Sequence, residues 1–97
     1  MPETYYTSIT RHHLRYYAKN PNGPKRDVET WHTVHTALMR LSDSDRDMVL
    51  RLHSAGEILS EAIQRVCTED GCNPERLWKL TRRVEKLVAK EFGWIRS

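Results

Sequence analysis

The strongest constraint on the fold is residues 73–92, which have the start signal, period and charge of one long amphipathic helix. Asn73 can cap free backbone N–H groups, Pro74 suits the first helical position, and Glu75 complements the positive end of the helix dipole. At about 100° per residue, the apolar residues of this stretch gather on one side. They are Leu77, Leu80, Val84, Leu87 and Val88. This side is therefore predicted to face a core.

The other side of the same helix is basic. Between residues 76 and 90 the chain carries six Lys or Arg and one acid, Glu85. The cations are Arg76, Lys79, Arg82, Arg83, Lys86 and Lys90. Such a face is either simply solvated or meets a polyanion, as in a nucleic-acid recognition helix. The net charge of +3 and pI near 9.1 are compatible with both interpretations.

The rest of the chain predicts more helices. With 97 residues, 38% hydrophobic and 30% charged, we expect a single all-α domain, a compact bundle of four to five helices. Residues 1–20 form a Tyr-rich helix and 21–26 a linker, whereas 27–97 form a helical core. Asp27 and Ser42 are predicted caps of the second and third helices. One core is expected from Trp31, Val34, Leu38, Leu41, Met48, Val49, Leu52, Leu59, Ile63, Val66, Leu77, Leu80, Val84 and Leu87.

The N-terminal helix contains four tyrosines, Tyr5, Tyr6, Tyr16 and Tyr17. A tyrosine has an apolar body and a polar tip, so these rings could stack on bases or on a partner. They could equally pack the first helix against the other helices. We favour packing.

Several functional classes are disfavoured by the sequence. Cys67 and Cys72 have no second cysteine pair, so we expect neither a metal site nor a disulfide between them. No nucleophile elbow, phosphate-binding glycine loop or catalytic His–acid spacing occurs, which argues against an enzyme or a bound cofactor. The polar N-terminus is unlike a signal peptide, and no apolar run reaches membrane-spanning length. We therefore expect a cytoplasmic protein that does not associate with a membrane.

The chain has three segments, 41–52, 56–63 and 71–80, that together resemble the promoter-reading C-terminal domain of bacterial sigma factors. Residues 41–52 resemble the acidic, arginine-containing helix that opens this domain. Residues 56–63 resemble the start of the first helix of its helix-turn-helix. Residues 71–80, with a polar cap before a Glu-Arg pair, are similar to its turn and recognition helix. The resemblance implies a helix-turn-helix at about residues 57–92. Small phage late-gene activators share this pattern, which suggests a phage-related protein.

The resemblance also implies roles for individual residues. Glu75, Arg76 and Lys79 would face base edges, whereas a second group would contact phosphates. The phosphate group comprises Asn73, Arg82, Arg83, Lys86 and Lys90. The chain departs from the pattern at residues 67–70, which look like an insertion that lengthens the fourth helix or enlarges the loop. It also departs at Trp78, where the family usually has a polar or basic residue.

The sequence thus predicts a sequence-specific DNA-binding transcriptional regulator of sigma-like helix-turn-helix type, with double-stranded DNA as its partner. RNA polymerase or another protein is a further possible partner. The alternative is a protein-binding adaptor or inhibitor whose basic C-terminal helix meets an acidic surface. The two functions differ in whether the protein distinguishes one base pair from another.

Overall fold

A computed structural model describes residues 3–95, with side chains from Tyr6 onward, and these residues form five helices and no strand. The helices are α1 (Glu3–Lys19), α2 (Val28–Leu38), α3 (Asp43–His53), α4 (Leu59–Asp70) and α5 (Pro74–Glu91). The radius of gyration is 12.8 Å, close to the roughly 13 Å of a compact 100-residue domain. The structure therefore confirms a compact all-α fold.

The caps show how local sequence starts these helices. The Ser42 hydroxyl accepts from the Asp45 N–H at 3.2 Å, and the Asn73 side chain accepts from the Glu75 N–H at 2.9 Å. Both predicted caps are confirmed. Asp27 does occupy the cap position of the second helix, but its side chain does not cap, because its backbone is left-handed at φ 55° and its carboxylate accepts from the Thr30 hydroxyl instead. A capping side chain needs the extended backbone that Ser42 and Asn73 have.

Helix α5 organises the bundle, since α1, α2, α3 and α4 all pack against it. Its 18 residues span about 27 Å, so its two ends contact different neighbours. Near its start, Leu77 joins a cluster with α3 and α4: Leu52, Leu59, Ala62, Ile63, Val66 and Cys67. Farther along, Val84 and Val88 join a second cluster: Leu14, Tyr17, Trp31, Val34, Ala37, Leu38, Leu41 and Val49.

The core prediction is thus right about most positions and wrong about their arrangement. The apolar residues form two clusters, and Met48, Leu80 and Leu87 are only partly buried at the cluster margins. Trp31 is 6% exposed, and its indole N–H donates to the Asn20 carbonyl at 2.8 Å. The second helix therefore faces the core, as predicted.

The N-terminal helix uses its tyrosines mainly for packing. Tyr6 and Tyr17 are buried, and Tyr17 lies 5.0 Å from Trp31 between ring centroids. The half-buried Tyr16 hydroxyl accepts from the backbone N–H groups of Lys25 and Arg26, which holds the linker against α1. The side chain of Tyr5 lies outside the described residues.

Candidate nucleic-acid interface

Helices α4 and α5 are joined by three residues, Gly71 to Asn73. Gly71 has φ 67°, a left-handed conformation that glycine adopts without a Cβ clash, and its N–H donates to the Cys67 carbonyl at 2.8 Å. Asn73 and Pro74 then start α5 at once. This connection has the length and the glycine that are common between the two helices of a helix-turn-helix.

Residues 67–70, the apparent insertion, lengthen α4 rather than the loop. The two acids at this end of α4 point towards an arginine on α3: Arg51 contacts Asp70 at 2.7 Å and Glu69 at 3.3 Å. The hydrogen bond from Arg51 lowers the pKa of Asp70. These carboxylates are therefore paired with Arg51 beside the turn.

Apart from Asn73, which precedes α5 as its cap, the predicted base-reading and phosphate-binding residues lie on one exposed side of this helix. We call its six cations the basic stripe: Arg76, Lys79, Arg82, Arg83, Lys86 and Lys90, all of them exposed. Glu75 is also exposed and lies 3.6 Å from the Lys79 ammonium. Asn73 is exposed but uses its side-chain oxygen in the cap, which leaves its NH2 group as the donor available to a ligand.

Glu85, the acid within this sequence stretch, faces away from the stripe. It is buried, and its carboxylate accepts from the Arg11 guanidinium of α1 at 2.7 Å. Burial raises the pKa of Glu85, although the Arg11 contact opposes that shift. Helix α1 therefore meets α5 on this inner side, where Arg11 and Glu85 pair.

One acid from a neighbouring helix does reach the stripe. Asp45, in the first turn of α3, lies 3.4 Å from the Arg83 guanidinium. Between these helices is an open groove of about 520 Å³. Arg76, Lys79 and Arg83 line its α5 side, and Asp45 and Met48 line its α3 side. The groove therefore has a cationic side on α5 and an α3 side that carries both an acidic and an apolar side chain. Partly buried apolar groups lie between the two sides.

Trp78 lies off the basic stripe. Its half-buried ring packs against the α3–α4 cluster that contains Leu52 and Leu59. Trp78 thus contributes to the core around the turn. It helps to fix the first turns of α5 against α4.

Sequence reasoning missed a polar group of residues beneath α1. His53, the last residue of α3, is buried near the positive charges of Arg15 and Arg11. Arg11 also pairs with Glu85, as described above. The helical period places Glu85 beside Val84 and Val88 at the margin of the apolar side, and this was the available signal for its burial.

No protein-family model matches the chain, and neither curated proteins nor solved structures include a match. Across residues 3–95, no helix combines the length and apolar character needed to cross a membrane. Within the same residues, no three His, Cys, Asp or Glu side chains form a metal-binding group.

Proposed function

We propose that the protein is a sequence-specific DNA-binding transcriptional regulator in which α4, the 71–73 turn and α5 act as a sigma-like helix-turn-helix. The observation that carries this proposal is the basic stripe, six exposed cations on one side of α5 while Glu85 is turned inward. A helix in the major groove needs such a face, because phosphate contacts supply a large share of the affinity.

The order of residues along α5 supports a division of roles. Glu75, Arg76 and Lys79 occupy the first two turns, the part of a recognition helix that meets base edges. An arginine can donate two hydrogen bonds to guanine, and a glutamate can accept from the cytosine amino group. Asn73 and the later cations, Arg82, Arg83, Lys86 and Lys90, would contact phosphates.

The second candidate function is a protein-binding adaptor or inhibitor that uses the same stripe. The specific observation in its favour is the contact between Asp45 and Arg83, because it demonstrates a carboxylate seated on the stripe. An acidic surface of RNA polymerase or of another protein would supply further carboxylates. This function involves no base and therefore predicts no preference between duplexes.

Selection of duplexes from a random pool, followed by fluorescence anisotropy, tests the DNA proposal. Arg76→Ala should lose roughly 1–3 kcal/mol of binding free energy on the selected site and much less on random duplexes. Selected and random duplexes that bind the native protein weakly and equally would contradict the proposal and favour the adaptor.

A salt series separates phosphate contacts from base contacts. Arg83→Ala should weaken binding to all duplexes alike and lower the slope of log affinity against log salt by about one. Lys25→Ala is the matched control, since Lys25 is an exposed cation of the linker outside the stripe. An equal loss of slope in both variants would mean that general positive charge, and not the stripe, binds DNA.

A further inference from the structure

Two thiol groups touch where α4 turns into α5. The Cys72 thiol donates to the Cys67 sulfur at an Sγ–Sγ distance of 3.5 Å, and both cysteines are free. The backbone explains their proximity: left-handed Gly71 reverses the chain and its N–H bonds to the Cys67 carbonyl. In helix ends of this type, the residue after the glycine packs on the last helical turn. An apolar pair would serve this packing equally well, whereas two thiols add redox chemistry.

We propose that Cys67 and Cys72 are a reversible dithiol–disulfide site that is oxidised by a low-molecular-weight disulfide. In the balanced reaction, the two protein thiols and one oxidant disulfide give one protein disulfide and two small thiols. The protein loses two protons and two electrons, and the oxidant gains them. The reduced pair of the structure is the resting form of this site.

The two cysteines differ in access, and this sets the order of the steps. Cys72 is half-buried and lines the groove, so its thiolate reaches the oxidant first and displaces one small thiol. Cys67 is buried, and burial followed by its contact with Cys72 raises the pKa of its thiol. It therefore acts second: its sulfur attacks Cys72 Sγ and releases the other small thiol. The two sulfurs need only close from 3.5 Å to about 2.0 Å.

Closure of this bond would act on the start of α5. Cys72 directly precedes the Asn73 cap, and Arg76 follows within the first turn. A disulfide ties this turn to the last turn of α4, and the approach of the two sulfurs shifts the turn that positions Arg76. On the proposed function, on which this step rests, oxidation lowers affinity for the selected duplex by about fivefold or more.

The thiol chemistry is tested without DNA. The full chain is incubated with oxidised glutathione, alkylated and weighed by mass spectrometry. We expect two alkylated cysteines before oxidation and none after it, with a protein two hydrogens lighter that dithiothreitol restores. Two thiols that still alkylate, a lasting glutathione adduct on the native chain, or disulfides between two molecules would each overturn the proposal.

Single variants test the order of steps. Cys67→Ser should retain glutathione on Cys72, because the second thiol that resolves the adduct is missing. Cys72→Ser should react much more slowly, because only the buried thiol remains. Equal rates in the two variants would overturn the assigned roles.

Anisotropy on the reduced and oxidised forms at one salt concentration then tests the effect on DNA binding. Cys72→Ser, treated with the same oxidant, is the control and should keep its affinity. Equal affinity of the two native forms would overturn control by oxidation. If neither form binds DNA, the proposed function fails, whereas the mass measurements still decide the disulfide.

Discussion

His53 makes the stability of this protein depend on pH in a defined direction. Its side chain is buried at the end of α3, and burial, followed by the charges of Arg15 and Arg11, lowers its pKa from 6.5 to about 4. The unfolded chain therefore binds a proton at higher pH than the folded chain does. As the pH falls through the interval from 6.5 to about 4, the free energy of unfolding decreases.

The size of this effect follows from the gap between the two pKa values. At 1.36 kcal/mol per unit, the gap between 6.5 and about 4 corresponds to a loss of about 3 kcal/mol by the acid end of the interval. By pH 5 the expected loss is about 2 kcal/mol. Glu85 acts in the opposite direction, because its pKa is raised by burial and its protonation relieves a buried charge. The unfolding free energy of the native protein, plotted against pH, would therefore combine the effects of His53 and Glu85.

Comparison of variants isolates the contribution of His53. Urea unfolding is measured on the native protein and on His53→Gln from about pH 7.5 to about pH 4, and the difference in unfolding free energy is plotted against pH. We expect this difference to change by about 3 kcal/mol, with the native protein losing more as the pH falls. His32→Gln, at an exposed position, controls for the loss of an imidazole as such. Parallel curves for native protein and His53→Gln would refute the assignment.

Two further changes test the packing and the start of α5. Trp31→Ala should lower the unfolding free energy, measured in urea, by on the order of 3–5 kcal/mol, because it removes a ring that is only 6% exposed. Trp31→Phe should lower it by less. A loss below about 1 kcal/mol for the alanine variant would contradict the burial of the ring. Asn73→Ala should cost about 1 kcal/mol because the Glu75 N–H loses its side-chain acceptor. An unchanged urea midpoint for Asn73→Ala would show that the cap contributes nothing.

The local features of this fold could be predicted from neighbouring residues. Ser42 and Asn73 start their helices as expected, and the period of 3.6 residues assigned most core positions. The prediction of a side-chain cap failed at Asp27, where a residue of cap type has a left-handed backbone. The prediction that Leu80 and Leu87 are buried also failed. Both lie between the apolar side of α5 and its basic stripe, and the helical period does not show how much of that boundary a neighbouring helix covers.

By itself, the sequence determined the all-α class, the start of α5 at Asn73 and Pro74 and the basic side of α5, since each depends on residues within a few positions of one another. Only the tertiary structure decided what faces that stripe. Glu85 turns inward onto Arg11, 74 positions away, and Asp45 reaches Arg83, 38 positions away. Such pairs depend on how separate helices pack, and helical period alone leaves open which charged side chains meet.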